Sequence, residues 1–300
     1  MPAPFDRFRG SRFRPKRRVS ADSTSGFRAD RRRAPVSSTI GGRFDKGIDM
    51  TLIDSLSDDE LERLNDLLPW QCFVLDGKGR NFGRPASERK RSSAQPIPDR
   101  RIVMLDQRFD LSDKTVLELG CFEGVHTIAL ARKAKRVVAV DVRIENVVKT
   151  MVRCGLFGVS PSIARWNVEE DPPFDPSCDI LHHVGVLYHL LDPVKHLAAV
   201  LPRVRVGIML DTHVAPDAPL EPYTSQGREY SCFVYREQES PFSGAYPTAR
   251  WMRLDDICEL LREYGFADLE VAERRAERNG PRVLIFARRP VRERNASYAP

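Results

Sequence analysis

The chain has 300 residues, 41% of them hydrophobic and 30% charged. That is the make-up of a soluble globular protein, long enough for one large α/β domain with extensions or for two small domains. Its formal charge of +6 is uneven, because residues 1–46 hold 13 Lys+Arg against 4 Asp, a local net of +9, and the remaining residues sum to −3. This excludes a folded body built as a broad nucleic-acid clamp and leaves only a basic arm for such contacts. No run of about 18 apolar residues exists, so no transmembrane helix is expected. The N-terminal stretch has no apolar core for a secretory signal, and its four Asp with Pro4 and Pro15 argue against a transit peptide. Cys72, Cys121, Cys154, Cys178, Cys232 and Cys258 never form C-x-x-C and sit in apolar segments. They read as reduced core thiols of a cytoplasmic protein.

Residues 1–46 are poor in aliphatics and rich in Arg, Ser, Gly and Pro, which predicts a disordered basic tail. Phe5, Phe8, Phe13 and Phe27 alternate with arginines there, a pattern that suits either RNA contact or a solubilising tail. Residues 47–112 read as an N-terminal extension of helix and loop. Ser57 and Glu60 make a capping box, followed by Leu61, Leu64, Leu67 and Leu68 at helical spacing. A Gly- and Arg-rich loop spans 76–93, and Asp99–Asp110 leads into the main domain. From Thr115 strands and helices alternate: strands at 115–119, 137–141, 162–166, 178–184 and 204–211, with helices at 125–134, 144–154 and 192–201. A helix at 254–266 and strands at 269–273 and 282–289 close the domain, which spans 113–290, and 291–300 is a C-terminal tail. The fold class expected is α/β: a doubly wound, mostly parallel seven-stranded sheet, Rossmann-like, with an antiparallel edge strand. About 40 residues, 212–252, separate the fifth strand from the next helix. They are rich in Tyr and Pro and read as a substrate lid with a short hairpin at YSCFVYR, or as an edge cover.

The most informative stretch is VLELGCFEG, 116–124, a buried strand, a glycine turn and a helix start. Ligands of such sheets bind at the carboxyl ends of the strands, beside the first glycine turn. A dinucleotide site needs G-x-G-x-x-G, but Phe122 fills the middle position and no third glycine follows. Asp141 ends the second strand, where a carboxylate can accept both hydroxyls of a ribose. The geometry suits a nucleoside without a diphosphate.

With these elements in order, residues 114–289 resemble the class I S-adenosylmethionine-dependent methyltransferases. The resemblance implies S-adenosyl-L-methionine as cofactor. Glu118, Gly120, Cys121, Phe122 and Gly124 would wrap its methionine part, Asp141 would hold the ribose, and Asn167 and Val168 would flank the adenine. Phe122 departs from the small residue common there. HHVGVLYHLLDP (182–193), Gly124-x-His126 and Pro69-Trp70 resemble more narrowly the subgroup that modifies the wobble uridine of tRNA. In its carboxymethylating members, basic residues grip the carboxylate of an unusual cofactor, and those residues are not mapped onto this chain.

All six histidines lie between residues 126 and 213. His182, His183, His189 and His213 fall at or beyond the carboxyl ends of strands, where an imidazole can take a proton from an attacking hydroxyl or amine. His183 and His189, then His213, are the catalytic candidates, and Tyr188 can hydrogen-bond substrate or cofactor. Any one histidine alone reads more readily as a hydrogen-bonded structural imidazole, and Tyr188 reads equally as a cap on the pocket. Asp211-x-His213 lacks helical ligand spacing, so no metal is expected. The absence of D/N-P-P-Y/F after residue 184 excludes amino methylation of bases, and no Cys stands where a covalent pyrimidine adduct would form. Methyl transfer to an O or N nucleophile of a small-molecule or saccharide acceptor is the first expectation. A tRNA wobble-uridine enzyme that uses the basic tail is the alternative, and a catalytically silent RNA-binding protein on the same fold is the second alternative.

Overall fold

The computed structural model describes residues 51–84, 92–238 and 240–290. The basic tail 1–46 with its Phe/Arg alternation, the tip of the basic loop at 85–91 and the tail 291–300 lie outside the described residues. The extension opens with helices α1 (Leu52–Ser55) and α2 (Asp58–Leu67). Both halves of the capping box at α2 form, Ser57 accepting from the Glu60 backbone while the Glu60 carboxylate accepts from the Ser57 backbone. The stretch expected to be loop contains a hairpin, β1 (Phe73–Leu75) and β2 (Asn81–Gly83), turned through Asp76–Arg80. Asp76 holds that turn by accepting from the Lys78 and Arg80 backbones and from the Arg80 guanidinium.

Helix α3 (Arg100–Phe109) was not foreseen. Asp99 caps it by accepting from the Arg101 backbone, and Ile102, Leu105 and Phe109 line one buried face. Beyond it the chain follows the expected alternation: β3 (Thr115–Leu119), α4 (Val125–Lys133), β4 (Arg136–Asp141), α5 (Ile144–Leu156), β5 (Ser162–Arg165), β6 (Cys178–Val184), α6 (Pro193–Val200) and β7 (Val204–His213).

The 212–252 segment is more ordered than a loop. Its strands β8 (Glu221–Ser225), β9 (Arg228–Arg236) and β10 (Thr248–Met252) form a separate antiparallel sheet in the order β10-β9-β8. YSCFVYR is therefore most of the single strand β9, not a hairpin, because Gln226 and Gly227 take the turn before it. Helix α7 (Leu254–Glu263) and strands β11 (Asp268–Glu277) and β12 (Gly280–Arg288) complete the domain.

The main sheet has seven strands in the order β11-β12-β7-β6-β3-β4-β5. From β7 to β5 all pairings are parallel, and β12 runs antiparallel to both β7 and β11. Because alternate strand residues face opposite sides, two cores form. Val116, Ile180 and Met209 meet Ile102, Leu105 and Leu130 on one face. Leu117, Leu181 and Ile208 meet Leu197, Ile257 and Leu261 on the other. Chain order reverses between β3 and β6, so the crevice of the sheet opens at their carboxyl ends.

Candidate functional site

At that reversal β3 runs into the glycine turn. The Gly120 and Cys121 backbones donate to the Val140 carbonyl at 2.8 and 2.9 Å, which fastens the turn to β4. Gly120 has φ +73°, and a Cβ there would lie 2.4 Å from Cγ2 of Val186. Only a glycine lets the backbone turn this close to the loop after β6. Phe122 takes a left-handed φ of 51° and its backbone donates to Oδ2 of Asp141 at 3.0 Å. Oδ1 of Asp141 accepts from the Arg143 backbone at 2.9 Å and from Asn146 at 3.1 Å. Burial raises the Asp141 carboxyl above its ordinary range, and these donors oppose the rise.

A cavity opens above these groups. Glu118, Gly120, Cys121, Phe122, Asp141, Asn167 and Val168 all line it, as do Tyr188 and His189. Gly124 does not line it: it caps α4 with φ +80°, and a Cβ there would lie 3.1 Å from Cγ2 of Thr150. The expected lid segment contributes a strap, 241–245, to the lining, and Asp99, Arg101, Arg143 and Arg282, not singled out by the sequence, line it too. The strap crosses near the glycine turn, with Phe242 stacked on Phe122 at 5.4 Å and Arg143 donating to the Ser243 and Gly244 carbonyls. Tyr246 accepts from Asn167 at 3.1 Å. Gly244 runs so close to His189 that a Cβ would lie 2.6 Å from the His189 carbonyl oxygen.

The histidines separate into distinct environments. His189 faces the cavity and donates from Nδ1 to Oε1 of Glu237, a carboxylate brought by the segment after β9. His183 does not reach the cavity, contrary to expectation. It points to the opposite face of β6, fully buried, and lies 3.0 Å from Nε2 of His196, whose Nδ1 donates to the Val168 carbonyl. Burial holds His183 well below the usual imidazole range and brings His196 down to about 4. His213 is also outside the cavity lining: it stacks on Trp251 at 4.7 Å and donates to the Pro281 carbonyl. In the sheet β12 pairs with β7 beside it, Arg282 standing opposite His213.

His126 and His182 lie on the Glu118 side. Arg101 reaches Nε2 of His126 at 3.2 Å, and Nδ1 of His126 lies 3.2 Å from Nε2 of His182. Glu118, His126 and His182 place one ligand atom each within 4.8 Å of the others, a grouping the sequence spacing did not suggest. Burial pushes Glu118 up to about 7. Asp211, fully buried, accepts from Arg101, Arg275 and Arg282. Burial opposes its charge, yet the three guanidiniums hold its carboxyl below the usual range. Arg282 in turn lies 5.2 Å over the Tyr188 ring.

The six cysteines are buried free thiols, as expected of core positions. Among the described residues no helix is long and apolar enough to cross a membrane.

Comparison with known proteins bears on the fold first. The N-terminal domain of EvdMO1, crystallised in the presence of SAH and D-fucose, superposes with a TM-score of 0.65 at 24% identity, covering 78% of this chain and 98% of that domain. The whole of EvdMO1 gives 0.52 at 20% identity, over 77% of this chain and 47% of that one. The chain therefore has the fold of S-adenosylmethionine-dependent methyltransferases. Among curated sequences, a tRNA U34 carboxymethyltransferase of Shewanella amazonensis is 31% identical over 133 residues, 39% of this chain and 38% of that protein. One of Shewanella loihica is 29% identical over 171 residues, 54% of this chain and 48% of that protein. The chain thus matches less than half the length of these relatives. No family model matches.

Proposed function

We propose that the chain is an S-adenosylmethionine-dependent methyltransferase acting on a hydroxyl or amine of a small-molecule or saccharide acceptor. The observation that carries this reading is the cavity at the sheet reversal, where the glycine turn, Asp141 and His189, backed by Glu237, face one space.

The residues present fit the cofactor. Gly120 keeps the backbone clear of a Cβ, and Oε2 of Glu118 is buried and unpartnered in the cavity wall, able to receive a cationic group. Glu118 and Arg101 would meet the ammonium and carboxylate of the methionine part. Asp141, its orientation fixed by three donors, would accept from the ribose hydroxyls. Asn167 and Val168 would flank the adenine. When bound, S-adenosylmethionine supplies an electrophilic methyl group on a sulfonium centre.

His189 would take the acceptor proton on Nε2 as the nucleophile commits to the methyl carbon. Glu237 fixes the tautomer with Nδ1 protonated and stabilises the imidazolium that results. Placement of acceptor and methyl group in line accounts for most of the rate, with the base assisting. The strap 241–245 and the β8–β10 sheet would act as the lid that excludes water.

The saccharide acceptor is supported by the EvdMO1 domain, whose crystal structure was obtained in the presence of D-fucose. The test is transfer of tritium from methyl-labelled S-adenosylmethionine to a panel of neutral monosaccharides and glycosides, with bulk tRNA alongside. Label in a sugar, lost in His189→Ala, is the expected result, and label in none of these acceptors counts against the reading.

A second reading has one observation in its favour. Arg282 places a guanidinium on the cavity wall 3.5 Å from the Tyr188 hydroxyl, next to His189. A carboxylated methyl donor would need such a cation, and the curated relatives are named for carboxymethyl transfer to tRNA U34. Label appearing in tRNA, and only from a carboxylated donor, would favour it.

A further inference from the structure

We infer that His126 and His182 are positioning residues that join the Arg101 guanidinium to the Glu118 carboxylate, so that the two charges meeting the amino-acid end of the cofactor are held as one unit. The inference rests on the cofactor reading above. Glu118 on β3 and His182 on β6 are paired in register, so both side chains rise from the same face of neighbouring central strands. His126 comes from the first turn of α4 and Arg101 from the first turn of α3.

The direction of the chain follows from donor chemistry. A guanidinium can only donate and a carboxylate only accept; Nε2 of His126 lies 3.2 Å from Arg101 against 3.6 Å from Asp99, and the nearer partner makes it the accepting nitrogen. Burial keeps both imidazoles below their ordinary range and therefore neutral at pH 7. The proton of His126 then sits on Nδ1 and is donated to Nε2 of His182 across 3.2 Å. This leaves the His182 proton on Nδ1, aimed at Oε1 of Glu118 at 3.9 Å. Asp99 lies 3.6 Å from Nε2 of His126 and, with Asp211, neutralises Arg101 from behind.

The last link is open. Nδ1 of His182 and Oε2 of Glu118 are both buried without a hydrogen-bond partner. The Thr127 hydroxyl, also buried without a partner, acts on the Glu118 carboxyl as well; buried polar groups are ordinarily satisfied, and unsatisfied ones at a cavity wall mark the place a ligand completes. An ammonium group drawn to Glu118 satisfies the carboxylate and keeps it ionised, which lets its other oxygen close on the His182 N–H. His126 adds a further partner to an Arg101 fork already held by Asp99 and Asp211.

The experiment measures, on the full chain, binding of S-adenosylmethionine and of 5′-methylthioadenosine, which keeps the nucleoside and lacks the amino-acid end. His182→Phe fills the space without ring nitrogens. His182→Gln keeps one acceptor for His126 and one donor for Glu118 in a single amide. The expected result is that His182→Phe weakens S-adenosylmethionine about tenfold or more while 5′-methylthioadenosine changes less than about twofold, and that His182→Gln restores most of the difference. Equal losses for both ligands, or no loss for either, overturn the inference. So does a stoichiometric divalent ion retained by the purified protein and lost in His182→Phe, since Glu118, His126 and His182 would then be metal ligands. A wild-type protein that binds neither compound overturns the cofactor reading itself along with it. One that binds both, with variants that do not discriminate, overturns this inference alone.

Discussion

Nδ1 of His189 is hydrogen-bonded to Oε1 of Glu237, although 48 residues separate them in the chain. His189 follows β6 of the parallel sheet, and Glu237 follows β9 of the smaller antiparallel one. The pair therefore ties the long segment after β7 to the rim of the cavity. Both side chains are largely buried, so the carboxylate acts on the imidazole with little screening from water. Glu237→Gln keeps the shape but removes the charge that stabilises an imidazolium. Turnover should fall roughly 10- to 100-fold with cofactor affinity unchanged, read by initial rates at saturating cofactor and by calorimetry. An equal fall in cofactor affinity would make the residue structural instead.

The strap over the cofactor turn leads to a second expectation. Phe242 stacks on Phe122, and such ring pairs contribute about 0.5–1.5 kcal/mol beyond their burial. Phe242→Ala should speed cofactor dissociation by up to about tenfold in stopped-flow exchange. The unfolding temperature should change little, because Phe242 belongs to none of the buried hydrophobic cores.

Gly120→Ala tests the turn itself. Its φ of +73° costs an L-residue about 1–2 kcal/mol, and the added methyl would sit 2.4 Å from Val186. Denaturant unfolding should show at least that loss, and cofactor binding should fall further than stability does, because the displaced loop forms the cavity wall.

The His183–His196 pair yields a pH dependence. Burial depresses His196 to about 4, below the ordinary 6.5. A base with a depressed folded pKa contributes stability that is present above 6.5 and lost as pH falls towards 4, here on the order of 3 kcal/mol. His196→Gln should flatten the fall in unfolding free energy between pH 6.5 and 4. His183→Gln should alter stability more than turnover, since the side chain is buried against His196 and does not line the cavity.

The sequence made the parallel sheet legible because strand and helix periods are local, and β3 to β7 fall within a few residues of their expected bounds. The cofactor turn was legible for the same reason: Gly120, Phe122 and Asp141 belong to one strand–turn–helix–strand unit. Helix α3 is less legible although Ile102, Leu105 and Phe109 have helical spacing, because Arg100, Arg101 and Arg108 dilute the apolar period over ten residues. Which histidine faces the cavity depends on the face each takes on β6 and on what packs there, so His183 and His189 could not be told apart by position. Glu237, Arg101, Arg275 and Arg282 acquire their meaning only through contacts across 48 to 110 residues, which carry no local signature.

The central claim is that the cavity around Asp141 binds S-adenosylmethionine, and isothermal calorimetry with wild type and Asp141→Asn tests it most directly. The expected result is one site per chain in the wild type, weakened roughly 10- to 100-fold in the variant, which loses the ribose-accepting charge while its amide can still accept from the Phe122 backbone. No heat with the wild type, or equal affinity in the two proteins, would contradict it and leave the fold as a scaffold without this cofactor.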